Sequence, residues 1–337
     1  MPRGERVYLD WNATTPPLAE VTRAMADAAR EAWGNPSSVH WFGRAARARV
    51  EDAREAVARL ARCDPRDVVL TSGGTEANNI ALRSAFGATT ERDAAGGERA
   101  PGATATHGVL ALSRLEHPSV TRVAEALERE GRARLRWVRV LADGVLDLED
   151  LARSLDEGPV RLVALQAVNA ETGVVQPVRE AAAMAHAKGA RLHVDAVQAF
   201  GRSEDVAVEA DSRSLAAHKM RGPKSIGALV VRAGLPLAPV LVGGSQERGL
   251  RPGTVDPVAA AGLAVAARYA LASPARWEAL RPLRDALEAG LLGLAADARV
   301  NGERAPRAPH VSSVAFRGWT GPELVAALDL EGVAASG

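Results

Sequence analysis

Short apolar, β-branched runs alternate with helical patterns through most of this chain, and that alternation limits its fold more than any other feature. Strand-like runs fall at 67–71, 109–113, 135–140, 160–166, 191–194 and 228–231, with a short extended start at 7–10. Between them the apolar positions take helical spacing, at 18–33, 44–62, 119–130, 148–155 and 177–188. Strands that alternate with helices of this length predict an α/β fold, a mostly parallel central sheet with helices on both faces. From about Val255 the pattern changes to long helices (255–271 and 277–296), a strand near 312–316 and a helix from Gly321. The shift predicts a large domain over residues 16–256 and a smaller α+β domain formed by 1–15 and 257–337. The aperiodic stretch 85–108, rich in Ala, Gly, Thr and charge, reads as a mobile surface excursion.

Composition removes several functions. The 337 residues carry 42 basic and 41 acidic side chains, a net charge of +1, which argues against nucleic acid or an anionic membrane as the main partner. Cys63 is the one cysteine, so an internal disulfide, a Cys-rich metal site and an iron–sulfur cradle are all excluded, and no metal is expected. No apolar run follows the charged start Met1–Arg6, and no stretch of membrane-spanning length escapes charge or Gly/Pro breaks. With a lone cysteine, this predicts a cytoplasmic protein.

Basic charge is written almost entirely as arginine: the only lysines are Lys188, Lys219 and Lys224. Arginine stays protonated, whereas lysine can lose its proton and attack a carbonyl. Lys219 directly follows His218 and precedes a Gly/Pro turn, the kind of place where an α/β sheet carries functional loops. Asp195 ends an apolar strand, where a buried carboxylate is costly without a cation beside it. Ser72-Gly73-Gly74-Thr75-Glu76 lies between a strand and a helix start, an anion-binding arrangement. Taken singly, each reads equally as a solvated Lys, an ordinary strand-end Asp and a plain turn.

Together they resemble one family. Tyr8-Leu9-Asp10, Asn12–Pro16, Gly34–His40, Thr71–Asn79, Glu116-His117, Asn169 with Glu171-Thr172-Gly173, His193–Gln198, His218-Lys219, Gly222-Pro223-Lys224, Gly243-Gly244 with Gln246-Glu247, and Arg251 with Gly253-Thr254 stand in the order found in cysteine desulfurases. These are class V aminotransferases, fold-type I enzymes that use pyridoxal 5'-phosphate. The resemblance implies that Lys219 bonds the cofactor covalently, Asp195 pairs with its pyridine nitrogen, and Gln198 meets its phenolic oxygen. It implies that His117 stacks on the ring and moves protons, and that Gly74, Thr75 and His218 hold the phosphate. Thr254 resembles a residue that reaches into a second subunit's site, so a homodimer is implied, and Asn12, Asn35 and Asn169 are further candidate contacts. The implied reaction turns L-cysteine into L-alanine, leaving a persulfide on an enzyme cysteine for a sulfur-acceptor protein such as an iron–sulfur scaffold. Alternatives are another class V aminotransferase or lyase, selenocysteine lyase included, or a degenerate homologue acting as a scaffold.

Three positions depart from the family pattern. Ala170 stands where an Asn normally contacts the cofactor, and Ala216 where a Ser contacts the phosphate. The run Gly332–Gly337 resembles the approach to the family's nucleophile loop, so a catalytic cysteine is expected just beyond Gly337. Cys63 sits at a helix end in a position usually held by a small residue, and is expected to be structural.

Overall fold

The computed structural model describes residues 6–87, 108–203 and 209–337; most of the stretch read as a surface excursion lies outside them. In chain order the elements are β1 (Val7–Tyr8), α1 (Ala19–Glu31), α2 (Trp41–Ala61), β2 (Val68–Thr71), α3 (Gly74–Ala85), β3 (Gly108–Leu112) and α4 (Pro118–Arg129). They continue with β4 (Ala133–Trp137), α5 (Leu148–Asp156), β5 (Val160–Gln166), α6 (Val178–Ala187), β6 (Arg191–Asp195), β7 (Ser212–Ala216) and β8 (Gly227–Val231). The last are α7 (Pro257–Leu271), α8 (Pro274–Glu278), α9 (Arg281–Leu294), β9 (Arg299–Val300), β10 (Val314–Ala315), α10 (Gly321–Leu330) and β11 (Val333–Ala334).

Seven strands form the central sheet in the order β2-β8-β7-β6-β5-β3-β4. Its pairs are parallel from β7 through β4, while β8 runs antiparallel to both neighbours. This is the expected mostly parallel α/β sheet. One face buries β2, β7 and β8 against α2 and α7, and a second core lies between the sheet and α5–α6. A third packs α3 and α4 on β3 and β5. Helix α7, which follows the change in sequence pattern, thus shares the core of α2.

Two elements differ from the periodicity. Strand β7 reads Ser-Arg-Ser-Leu-Ala, too polar for an apolar-run signal, yet all five residues are buried. Its polar groups are satisfied: Ser212 meets His193, Ser214 donates to Asp195, and Arg213 donates to the Ala61 carbonyl. The single helix expected at 277–296 is two, α8 and α9. Pro282 sits in the first turn of α9, where a missing N–H costs nothing, but its ring is incompatible with the turn before it.

Small pairings complete the chain. Strand β9 pairs antiparallel with β10, and β1 pairs parallel with β11 through Val7–Val333 and Tyr8–Ala334. Among the described residues, no single helix is long and apolar enough to cross a membrane.

Candidate active site

Strands β6 and β7 run parallel, so their C-terminal ends open on the same edge of the sheet, where functional loops collect in α/β folds. Strand β6 ends at Asp195, and β7 runs into the tight turn Ala217–Lys219. The N-terminus of α3 stands beside them. A β-carbon on Gly74 would lie 2.5 Å from Val197 Cγ2 and 3.9 Å from the Ala216 methyl, so only glycine lets the helix approach this closely. Gly73 precedes it at φ 150°, and no side chain caps the helix. Its first N–H groups are thus left for an anion, beside an exposed Thr75 hydroxyl.

Lys219 is half-buried, and its ammonium makes no salt bridge among the described residues. Nζ donates to the carbonyls of Asn12 and, at 3.0 Å, Ala13. Burial and the nearby Arg202 charge push the amine down to about 8. His218 places Nδ1 3.1 Å from Thr14 Oγ1, and its carbonyl accepts from Thr15 N and Oγ1. Burial, aided by Lys219 and Lys224, pushes its imidazole down to about 4, so it is neutral at neutral pH.

Asp195 is the complementary group. It is buried and accepts from Asn78 Nδ2 at 2.8 Å, Val197 N at 3.1 Å and Ser214 Oγ at 3.3 Å. No cationic side chain pairs with it among the described residues. A carboxylate withdrawn from water with only neutral donors around it suits a protonated ring nitrogen. This donor set, the free amine of Lys219 and the uncapped α3 start fit pyridoxal phosphate: a carbonyl partner, a pyridinium partner and a phosphate seat.

Asn12 and Gln198 join the Lys219 cluster. Gln198 Nε2 donates to the Asn12 carbonyl at 3.1 Å, and Asn12 Nδ2 donates to the Ala170 carbonyl at 2.7 Å. Asn169 is committed locally: its Oδ1 accepts from Glu171 N, Thr172 N and Thr172 Oγ1, fixing the tight turn that follows β5. Asn35 accepts from Ser37 N within an exposed turn, and exposed Thr254 makes no hydrogen bond to the Lys219 cluster. His117 is exposed and caps α4, accepting from Ser119 N at 3.1 Å.

Sequence reasoning assigned no role to two neighbours. Arg202 is 2% exposed and has no acid partner among the described residues. It donates to Gln198 Oε1 at 2.6 Å, Asn12 Oδ1 at 3.0 Å and the Lys219 carbonyl at 2.8 Å, over the Trp277 ring. One arginine among so many gives no sequence signal. Glu116 is also buried; it accepts from Ser113 Oγ at 2.8 Å while Oε2 has no partner, and burial pushes its acid up to about 8. Cys63 lies elsewhere, half-buried beyond α2 against the core, its thiol pushed up to about 11 by burial.

The Lys219 amine makes a pH prediction. Only the free amine captures a carbonyl, so cofactor capture should speed up about tenfold per pH unit and level off near pH 8. Stopped-flow growth of the visible band on mixing with pyridoxal phosphate measures it. A rate still climbing at pH 10 would mean an ordinary, solvated lysine.

The sequence model of the aminotransferase class-V family matches residues 7–337. A cysteine desulfurase of Cereibacter sphaeroides is 41% identical over 336 residues, covering 98% of this chain and 82% of that protein. One from Trichormus azollae is 37% identical over 334 residues, 98% of this chain and 79% of the relative. Among solved structures, a NifS-like protein superposes with a TM-score of 0.87 at 32% identity, covering 98% of this chain and 87% of its own. DndA from Streptomyces lividans gives 0.79 at 33%, covering 94% and 86%.

Proposed function

The chain belongs to the class-V aminotransferase family, and from that premise we propose that it is a pyridoxal-phosphate-dependent cysteine desulfurase acting on L-cysteine. The observation that carries the reading is the pairing of Lys219, an amine without an acid, with Asp195, an acid without a cation, at neighbouring strand ends. When bound, pyridoxal phosphate supplies an electron sink for the carbanion formed at the substrate Cα.

The protein's residues do the rest. Lys219 Nζ would anchor the cofactor, and an amine near 8 is a competent base toward a substrate Cα proton. Asp195 keeps the ring nitrogen protonated, and Gln198 serves the phenolic oxygen. The α3 N-terminus at Gly74 and Thr75, with neutral His218 beside the turn, holds the phosphate. His117 moves protons over the exposed side.

A homodimer and a sulfur-acceptor protein belong to the same reading. Trp33, Val39, Trp41 and Phe42 form an exposed apolar group at the start of α2, with Trp33 and Phe42 rings 4.8 Å apart, the kind of patch that marks an interface. Thr254, exposed and outside the Lys219 cluster, suits a second copy's site. A cytoplasmic location fits the single unpaired cysteine. Cys63 is not the sulfur carrier: its thiol stays protonated at neutral pH.

The test supplies the sulfur acceptor from outside. Protein loaded with pyridoxal phosphate is given L-cysteine and excess dithiothreitol, and alanine and sulfide are quantified. Both should appear in equal amounts. Cofactor-loaded protein that carries the cysteine expected after Gly337 and still yields neither is not a desulfurase.

A further inference from the structure

Behind His117 and Asp195 runs a buried chain of hydrogen bonds whose directions can be worked out. Asn78 is its centre, fully buried on α3. Its Nδ2 lies 2.8 Å from Asp195 Oδ2 and 2.8 Å from Ser119 Oγ, and its Oδ1 lies 2.9 Å from His193 Nε2. His193 is fully buried too, with Nδ1 2.9 Å from Ser212 Oγ. Ser119 Oγ is 2.7 Å from His117 Nδ1.

An ionised carboxylate only accepts, so Asp195 fixes the Asn78 amide with nitrogen toward it. Both amide N–H bonds are then spent, one on Asp195 and one on Ser119 Oγ. Ser119 accepts from Asn78, so its own O–H points to His117 Nδ1. The Ser119 backbone N–H reaches the same nitrogen at 3.1 Å. Two donors converge on Nδ1, which must present a lone pair. On the other side, Asn78 Oδ1 takes the N–H of His193 Nε2, leaving Nδ1 of that ring to accept from Ser212.

We propose that Asn78 and Ser119 are positioning residues that commit His117 to one tautomer, its neutral ring carrying the proton on Nε2 at the exposed edge. The same amide donates to Asp195, so one buried side chain orients both groups that meet the cofactor's ring. The proposal rests on the reading of His117 and Asp195 as cofactor-facing residues. Apolar side chains of similar size would fill these spaces; what they would not reproduce is the direction of donation.

The experiment uses the full chain with 15N-labelled histidine, before and after loading with pyridoxal phosphate. The His117 resonances are assigned by their loss in His117→Gln. Expected is a protonated Nε2 and an unprotonated, hydrogen-bonded Nδ1 in both states. Ser119→Ala should shift the Nδ1 resonance and lower kcat about five- to tenfold with KM for L-cysteine unchanged, and Ser119→Thr should restore both. A proton on Nδ1 of the wild-type ring overturns the proposal, as does a Ser119→Ala protein with unchanged resonances and kcat. If Ser119→Ala does not fold, the wild-type tautomer and Ser119→Thr decide. The functional reading fails separately, when no visible band forms on loading, because the tautomer is also read without the cofactor.

Discussion

Lys219→Ala should give a folded protein that forms no visible band with pyridoxal phosphate and loses about a thousandfold or more of its alanine production from L-cysteine. The fold has little to lose. Among the described residues Lys219 Nζ donates only to the Asn12 and Ala13 carbonyls and makes no salt bridge. The chromophore should therefore disappear without any fall in thermal melting of the cofactor-free protein at neutral pH. Lys219→Arg should be as dead, since a guanidinium keeps its proton. The stability curve carries a second signature. The unfolded chain holds this proton to about pH 10.4, whereas the folded protein without cofactor gives it up near 8. Between those values the unfolded state binds more protons, so this group makes stability rise with pH across that window and costs stability below it. Alanine at 219 should erase that slope. A Lys219→Ala protein that still forms the band would place the covalent anchor elsewhere.

Glu247→Ala should cost about 3–5 kcal/mol in urea unfolding, more than any other single exchange argued here. Its carboxylate is clasped by Arg54 through bonds of 2.6 and 2.7 Å and also accepts from Leu70 N at 2.8 Å. Both side chains are nearly sealed from water, at 9% and 3% exposure. Removing the acid leaves a buried guanidinium with the Val68 carbonyl and Glu51, itself half exposed, and an unpaired amide on β2. Removing both members, as in Arg54→Met with Glu247→Leu, should cost much less, because no charge stays stranded. The pair also holds a strained loop: Glu247 and Arg248 sit at φ 47° and 58°, each in a left-handed conformation costing about 1–2 kcal/mol. A Glu247→Ala midpoint equal to wild type would mean that this ion pair does not pin the segment leading to Thr254.

The sheet was legible because its apolar strands advertise burial on both faces. Strand β7 was not, although it delivers His218 and Lys219, because polar side chains stand on it and find partners across the sheet. The break between α8 and α9 was hidden by an unbroken helical period and follows from one proline. Lys219 and Asp195 could be singled out by residue type and position. Asn78 and Ser119 could not, since their roles depend on groups far along the chain: Asn78 meets Asp195 across 117 positions and His193 across 115. Arg54 and Glu247 are 193 apart. Local patterns record which face a residue turns to the core; they say nothing about which distant donor meets which acceptor.

The pairing of β1 with β11 sets an order of assembly during translation. Val7 and Tyr8 are synthesised first, yet their partners, Val333 and Ala334, leave the ribosome roughly tens of seconds later at about 5–20 residues per second. Until then the segment that carries Asn12 lacks its strand partner, while the sheet and the Lys219 turn can already form. The bonds that Asn12 accepts from Gln198, Arg202 and Lys219 can therefore form first, and the strand pairing that pins the segment is added last.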